Sequence, residues 1–265
     1  DRQAVANYSD ASVGFALRSG WAYSEYVRQI VRYTLRQTNI YNVQPWASPV
    51  VQAQQGYATV SELSETLSWD TRDVRLNTTK GWLLRNTIAV AGAIGTEQYF
   101  RTTADAVYFH SLFEDIVVSV GGSAGIVMPF GTSNLRLNNL FFLGGDNLRG
   151  FAVAGVGPRD AGTADSLGGQ FFYATTAELS FPLYGIPKEL GLLGKAFVDT
   201  GSLWGNQATN LGASILDSQL MRVATGVGIQ WISPFGPIRV DYAFPLVQDP
   251  WDKTQNFRFS FGTRF

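Results

Sequence analysis

The chain has 265 residues, enough for one large all-β domain or two smaller domains, and its formal net charge is −1. A charge so close to zero gives no electrostatic footprint for nucleic acid. The absence of cysteine excludes disulfides, thiolate metal sites and a cysteine nucleophile, and the single histidine, His110, excludes clusters of histidine ligands. We therefore expect no metal and no cofactor.

The composition is typical of a protein that faces lipid on one side and water on the other. Aromatic residues make up 14% of the chain and charged residues only 15%, against about 25% charged residues in an average soluble domain. The sequence nevertheless lacks the run of about 18 apolar residues that a transmembrane helix needs. These features fit a transmembrane β-barrel, and a soluble β-sandwich or β-barrel is the alternative that composition leaves open.

In chain order, eleven segments show the alternation of apolar and polar residues that predicts a β-strand. Their lengths of about 8–14 residues are close to the 9–11 residues that cross a bilayer when tilted, whereas strands of soluble proteins average about 5–6. We therefore predict an all-β protein, a transmembrane antiparallel β-barrel with about eleven strands in this chain. The strands are predicted near residues 11–18, 26–37, 57–69, 81–94, 98–110, 115–127, 171–183, 195–204, 221–232, 237–244 and 256–265.

The second predicted strand indicates which face of the sheet contacts water. Arg28, Arg32 and Arg36 share one face of this strand, and Val31 and Leu35 lie on the other. An arginine that faces lipid near the membrane midplane costs roughly 2–4 kcal/mol. The arginine face is therefore predicted to line a water-filled lumen.

The irregular stretch 141–168 contains the glycine-rich segment GGDNLRG. Successive backbone N–H groups in such a segment can form an anion-binding nest. The segment lacks the GK[ST] ending and the following helix of a phosphate-binding loop, so we prefer a glycine turn. Paired acids elsewhere, as in DTRD, are common in strands and turns, and we predict no catalytic residue and no enzymatic activity.

Six segments, taken in order, resemble the BamA family of outer-membrane protein assembly factors, whose superfamily also includes TamA, mitochondrial Sam50 and chloroplast homologues. The sequence around GPIRVDYAFPL is similar to that of alphaproteobacterial members of the family. The resemblance covers essentially the whole chain and is strongest from residue 141 onward. The six segments are NLRGF, GVGPRD, AELSFP, FVDTGSLW, GIQWISPFGPIRVDYAFPL and FSFGTRF, and the last resembles the C-terminal β-signal of outer-membrane proteins.

The resemblance implies a location and a function. Members of the family are sixteen-stranded barrels of the bacterial outer membrane, preceded by periplasmic POTRA domains. They fold and insert other β-barrels without ATP, at a weak seam between the first and last strands. The implied partners are nascent outer-membrane β-barrel proteins, outer-membrane lipid, and accessory lipoproteins that bind mostly through the POTRA domains.

This chain departs from the family pattern at its start, because the POTRA domains and roughly the first five strands have no counterpart in it. Eleven is also an odd number for a bacterial single-chain barrel, and an open sheet in lipid would leave backbone groups unpaired. We therefore expect residues 1–265 to be one partial outer-membrane barrel domain, the C-terminal part of a sixteen-stranded barrel.

By the same resemblance, Arg149, Gly150 and Phe151 belong to the long sixth extracellular loop, which folds back into the lumen. The arginine of the family meets acidic residues of the inner wall, and Glu178 and Asp199 occupy those positions here. The alternation of residues independently predicts that both acids point inward. We call these five residues the lumen latch.

A second site implied by the resemblance is the lateral seam at the last strand. Gly262 matches the position at which the last strand of the family bends away from the first. Phe257, Phe259, Phe261 and Phe265 share one face of this strand and complete the seam in this chain.

Three other functions compete with barrel assembly. TamA-like assembly or two-partner secretion would use the same fold with other clients. A passive porin should lack the Arg149 loop and its two inward acids. A soluble carbohydrate-binding β-protein would need a second sheet to cover its apolar faces.

Overall fold

The computed structural model describes residues 8–75, 77–113, 115–131, 135–187, 190–206, 211–233 and 236–262, and almost all of its regular structure is β-strand. The helical elements with fully described bounds are a four-residue α-helix, α1 (Pro49–Gln52), and a 3₁₀ turn at Leu137–Asn139. No helix among the described residues is long and apolar enough to cross a membrane. The strands are β1 (Ser9–Ala22), β2 (Val27–Tyr41), β3 (Gly56–Asp70), β4 (Gly81–Ala91), β5 (Tyr99–Phe113), β6 (Ile116–Pro129), β7 (Gly150–Phe151), β8 (Arg159–Asp160), β9 (Phe171–Pro182), β10 (Leu192–Trp204), β11 (Ile215–Leu216), β12 (Arg222–Ser233), β13 (Gly236–Val247), β14 (Thr254–Gln255) and β15 (Phe257–Phe261).

Eleven of these strands form one antiparallel sheet in the order β1-β2-β3-β4-β5-β6-β9-β10-β12-β13-β15. The predicted number and pairing direction of the strands are confirmed. Within the described residues, β1 and β15 are the two edges of the sheet, and each has a single strand neighbour. The described strands therefore form one continuous barrel wall.

Several predicted boundaries were wrong. β2 extends to Tyr41 instead of ending near residue 37, because its last residues still pair with β1. β15 spans Phe257–Phe261, and residues 263–265 of the predicted strand lie outside the described residues. Just before it, Thr254 and Gln255 pair with β7 in the long loop, so the chain joins the main sheet only at Phe257.

The two faces of the sheet differ as the alternation predicted. On the outer face, large apolar side chains such as Val13, Leu17 and Val227 are exposed. On the inner face, polar and charged side chains such as Asp199 and Arg239 are buried. This arrangement of apolar-out and polar-in residues matches a wall between lipid and a polar lumen.

The interior is filled by the segment that connects β6 to β9, residues 130–170, which we call the lumen loop. It contains the predicted irregular stretch 141–168 and begins where β6 ends, at Pro129. Its apolar residues form a buried cluster with inward-facing residues of the wall. The members from the loop are Phe141, Leu143, Leu148, Phe151 and Val156, and those from the wall are Val60, Ala91, Tyr99, Val127, Ala174, Leu203 and Ala224.

The long connections of the chain meet at one end of the sheet, which we call the long-loop end. There β8 of the lumen loop pairs with β11, in the connection between β10 and β12. β7 of the same loop pairs with β14, in the connection between β13 and β15. The lumen loop is thus tied by backbone pairing to two neighbouring loops, which fixes where its tip enters the barrel.

Candidate functional site

Arg149 and Asp199 form a bidentate ion pair in the interior of the barrel. The guanidinium donates from Nε to Asp199 Oδ2 at 2.7 Å and from Nη2 to Asp199 Oδ1 at 2.8 Å. The backbone N–H of Arg149 also donates to Asp199 Oδ2, at 3.1 Å. Arg149 and Asp199 are 2% and 0% exposed. This is the fork-to-carboxylate geometry in which arginine forms its strongest hydrogen bonds.

Glu178 is the second acid of the lumen latch and contacts three cations. It accepts from Nη1 of Arg149 at 2.8 Å and from Nη2 of Arg239 at 2.7 Å, and Nζ of Lys195 lies 3.0 Å from its other oxygen. Asp241 lies 3.7 Å from both arginines. The network therefore holds three cations and three carboxylates, so its charges balance. Balance of this kind is what makes several buried charges tolerable.

The neighbours of Arg149 fix its orientation. Thr176 accepts a hydrogen bond from Nη2 of Arg149 at 3.1 Å and donates to Asp199 at 2.6 Å. The ring of Phe197 lies beneath the guanidinium, 3.2 Å from Cζ to the ring centroid. Thr176 and Asp199 are directly paired across β9 and β10. Two neighbouring strands thus place the hydroxyl, the acid and the ring around one side chain.

Gly150 and Phe151 bring the lumen loop against the wall. Gly150 has a φ of +89°, and an added Cβ would lie 3.1 Å from Cβ of Ala224, so glycine supplies both the backbone conformation and the close approach. Phe151 is 1% exposed and belongs to the buried cluster. We expected Phe151 to pack near Phe172 or Phe197. Phe172 does pack against the cluster, whereas Phe197 contacts Arg149.

The lumen loop is also attached to the chain that leads into the last strand. Ala152 donates its backbone N–H to Lys253 O at 2.9 Å, and Lys253 donates to Gly155 O at 2.9 Å. Arg258, on the inner face of β15, donates from Nε to Asp146 at 2.5 Å. The segment that carries Arg149 therefore touches both the inner wall and the root of β15.

The expected seam residues lie at the β15 edge of the sheet. Phe257, Phe259 and Phe261 are 57–63% exposed on the outer face and pair with Tyr242, Val240 and Ile238 of β13. Gly262 has a φ of +107°, and no atom lies within 4 Å of the position of an added Cβ. Its N–H donates to Pro237 O at 2.8 Å. Phe265 lies outside the described residues.

Sequence reasoning missed three members of the charged network, Lys195, Arg239 and Asp241, although their signal was available. Arg239 and Asp241 alternate with the apolar residues of their strand, which predicts the same inward position as that of the two acids. Lys195 has the same parity as Asp199 on its strand. The strand register was the missing information, since it alone brings these side chains together with Glu178 and Arg149.

A second polar cluster ties two loops together at the long-loop end. Ser48 donates its hydroxyl to Asp160 at 2.5 Å and its backbone N–H to Asp165 at 2.8 Å. Burial alone would raise the pKa of Asp160, but hydrogen bonds from Ser48 and the N–H groups of Gly162 and Thr163 outweigh it and lower that pKa. The cluster joins the β2–β3 connection to the lumen loop, so it helps to close this end of the barrel. No group of metal-ligating residues occurs in the described part of the chain.

The family model of the Omp85 superfamily domain matches residues 1–265, the whole chain. The chain belongs to the Omp85 superfamily. This assignment agrees with the antiparallel wall, and it confirms the family resemblance seen in the sequence.

Named relatives of this Omp85 chain include outer membrane protein assembly factors and sorting and assembly machinery proteins. It is 32% identical over 257 residues to the outer membrane protein assembly factor BamA of Neorickettsia risticii, a match that covers 97% of this chain and 33% of the relative. It is 28% identical to the BamA of Neisseria meningitidis, over 76% of this chain and 28% of the relative. A SAM50-like protein of Schizosaccharomyces pombe is 27% identical over 76% of this chain and 43% of that protein.

Among solved structures, BamA from Haemophilus ducreyi lacking POTRA domains 1–3 superposes with a TM-score of 0.82 at 19% identity, covering 95% of this chain and 54% of that one. At this identity the likeness shows the fold. The chain spans about a third of the length of the BamA relatives that it matches. The barrel fold and the BamA relatives identify this Omp85 chain as a bacterial outer-membrane protein.

Proposed function

We propose that this Omp85 chain is the C-terminal part of a sixteen-stranded barrel that folds and inserts other β-barrel proteins into the outer membrane. The observation that carries the proposal is the connection of the lumen loop, held in the barrel interior by Arg149, Glu178 and Asp199, to the chain that leads into β15. The proposed seam lies between β15 and the first strand of the intact barrel, and its opening would expose the edge of β15. An unpaired strand edge offers a row of N–H and C=O groups to an incoming strand. Relatives named as assembly factors support the same function.

The proposed mechanism is strand templating and makes or breaks no covalent bond. The C-terminal strand of a nascent barrel protein would pair with the edge of β15. Each hydrogen bond formed there removes a backbone group from lipid, where an unpaired group costs several kcal/mol. The pairing energy itself drives insertion in this scheme, so ATP is not required.

Gly262 is proposed to be the bending point of the last strand. Its positive φ and the open space around it allow the chain to turn away from the sheet at low steric cost. Phe257, Phe259 and Phe261 would keep the outer face of the strand in lipid while its edge exchanges partners.

The lumen latch is proposed to hold the lumen loop, and through it the root of β15, while the seam opens. The backbone contacts to Lys253 and the Arg258–Asp146 pair give the loop a direct connection to the last strand. A fixed root would confine movement to the end of β15 near Gly262. A passive pore gives no reason to fill the lumen with this loop.

The proposed partners are nascent outer-membrane β-barrel proteins and outer-membrane lipid. Accessory lipoproteins would bind mostly through POTRA domains that precede the barrel in the intact protein. The exposed phenylalanines of β15 provide a lipid-facing surface beside the proposed seam.

The test uses disulfide capture in the full-length protein. The chain has no cysteine, so Ser260→Cys on β15 can be combined with a series of single cysteines in the last strand of a client barrel. Register-specific crosslinks should form during assembly and disappear when assembly is complete. Leu179→Cys on β9, a strand with a neighbour on each side, is the matched control. Equal crosslinking at the two sites would refute templating at β15.

A further inference from the structure

A row of directly paired residues crosses the inner face of the first five strands. Arg18 pairs with Arg32, Arg32 with Ser64, Ser64 with Ala89, and Ala89 with Arg101. Two arginines therefore lie side by side at one end of the row and a third lies at the other end. Only small side chains separate them, across a distance of about 14 Å from Arg32 to Arg101 for three strand spacings. This pattern leaves a hollow between guanidinium groups.

The hollow is a cavity of about 530 Å³ on the lumen side of the wall. Arg36 also lines it and adds a fourth guanidinium, while Glu62 contributes the only carboxylate among the lining residues. Glu62 already accepts a hydrogen bond from Tyr99 at 2.6 Å. The remaining polar lining consists of hydroxyl and amide side chains, among them Thr34, Thr66 and Asn138. The walls thus present an excess of positive charge and of hydrogen-bond donors.

The four arginines have no salt bridge to a carboxylate in the part of the chain that the structure describes. Nε of Arg36 is buried without a hydrogen-bond partner, and the guanidinium of Arg101 lies 4.4 Å from the ring centroid of Phe141. The charged network around Arg149 is the opposite case, since its three cations face three carboxylates. The same barrel wall therefore balances one group of cations and leaves the other with excess positive charge.

We propose that this cavity binds an oxyanion of the phosphate type. Like charges directly opposite each other on neighbouring strands destabilise a sheet, so the Arg18–Arg32 pair calls for a negative charge between its members. The planar guanidinium fork matches two oxygens of a phosphate or carboxylate group. Several forks around one hollow favour an anion with more than two oxygens and more than one charge.

The phosphate group can reach the cavity from two sources. A soluble phosphate or phosphate ester can enter through the lumen, which the cavity faces. The second source is a phosphate group of the surrounding lipid, because the outer face of β1 carries exposed apolar residues such as Val13 and Leu17 and so lies against the membrane. The recognition chemistry is the same in both cases, so the source is decided by experiment.

The first experiment titrates inorganic phosphate into the full-length protein in a neutral detergent, at constant ionic strength, with chloride as the reference ion. Calorimetry should detect saturable binding of phosphate, and the thermal unfolding midpoint should rise by several degrees at saturation. The double variant Arg32→Gln/Arg36→Gln should bind phosphate at least tenfold more weakly. Circular dichroism of the variants establishes that the β-sheet is intact.

Arg28→Gln is the matched control. Arg28 lies on the same face of β2, one arginine along from Arg32, but does not line the cavity. This variant should bind phosphate as the parent protein does. A loss of binding equal to that of the double variant would show a diffuse electrostatic effect and overturn the site.

The second experiment separates the two sources. Full-length protein is placed in nanodiscs of phosphatidylcholine alone or with phosphatidic acid, whose phosphomonoester has three terminal oxygens and a second ionisation, and the phosphate titration is repeated. If phosphatidic acid suppresses binding of free phosphate in the parent protein, the anion comes from lipid. If binding is unchanged, it is a soluble anion. No saturable binding in detergent and in both discs, or carboxylates from the preceding strands bridging Arg18 and Arg32 in a structure of the intact protein, would overturn the proposal.

Discussion

Arg149 and Asp199 are joined by three hydrogen bonds, two from the guanidinium and one from the backbone N–H of the arginine. The acid thereby holds the side chain and the main chain of the lumen loop at the same point. A loop arginine that only neutralised a charge would not need its own N–H aimed at the same carboxylate. The contact therefore fixes the position of the loop as well as the charge of the lumen.

The first prediction concerns this pair. Arg149→Ala should destabilise the barrel by about 3–5 kcal/mol, because Asp199 and Glu178 would remain buried without their partner. Arg149→Lys should recover only part of the loss, since lysine lacks the fork. The measurement is a double-mutant cycle of Arg149→Ala with Asp199→Ala. Its two readouts are the unfolding midpoint and the rate of protease cleavage in the lumen loop.

The matched control for this cycle is Arg72 with Asp70, a bidentate pair with similar distances of 2.8 and 2.9 Å. It joins residues two positions apart, and Asp70 is partly exposed. Pairs of this kind contribute about 0–1 kcal/mol. Strict additivity at Arg149 and Asp199, or a coupling no larger than that of the control pair, would contradict the latch.

The second prediction concerns Gly262. A valine there meets no steric contact but must adopt a positive φ, which costs roughly 1–2 kcal/mol. Gly262→Val should therefore stiffen the end of β15 and slow client insertion more than it lowers barrel stability. Gly185→Val is a suitable control, because Gly185 also has a positive φ, +79°, with nothing within 4 Å of an added Cβ. Gly262→Val and Gly185→Val should lower the free energy of unfolding by similar amounts. A normal rate of client insertion in Gly262→Val would argue against a last strand that bends.

The third prediction is a pH dependence at the long-loop end. The folded-state pKa of Asp160 is lowered by its hydrogen bonds, so its contribution is fully present above the unfolded value of about 3.9 and is lost as the pH falls through the folded value. Asp160→Asn should reduce the free energy of unfolding at pH 7 by about 1.5–3 kcal/mol, the contribution of a hydrogen bond to a charged group. The thermal unfolding midpoint should fall accordingly. The difference between parent and variant should shrink at pH 3.

Asp217→Asn serves as the comparison for Asp160. Asp217 is an exposed loop aspartate that accepts backbone N–H groups of Gly205 and Asn206. Its substitution should change the midpoint less at pH 7. A difference between parent and Asp160→Asn that persists unchanged from pH 7 to pH 3 would exclude the ionised carboxylate as its cause.

The main sheet was predictable from sequence because a wall between lipid and water imposes period two on every strand. Eleven such segments were visible, and the described residues contain eleven strands in one sheet. The short pair β7–β14 was not predictable. A strand of two residues is too short to show an alternation of apolar and polar side chains. Its pairing depends on distant contacts that hold the lumen loop in place.

The candidate site was predictable in part for the same reason. Parity placed Glu178 and Asp199 on the inner face, and the family resemblance supplied Arg149 as their partner. The roles of Lys195 and Arg239 required the register between strands, which no local pattern contains. The arginine row from Arg18 to Arg101 likewise becomes visible only when four pairings are known.

The last prediction tests how Gly150 holds the lumen loop against the wall. Gly150→Ala should cost about 1–2 kcal/mol for a side chain at positive φ, plus the strain of a Cβ that lies 3.1 Å from Cβ of Ala224. Hydrogen exchange at the amides of Ala152 and Lys253, which bond the loop to the root of β15, should become faster.

The second variant, Gly150→Ala with Ala224→Gly, removes the close contact but keeps the backbone cost. It should recover part of the protection, and the single variant Ala224→Gly measures the separate cost of a strand glycine, roughly 0.5–1 kcal/mol. Unchanged exchange in Gly150→Ala would mean that the loop position does not depend on this approach. Full recovery in the double variant would assign the whole effect to the contact with Ala224 and none to the backbone conformation.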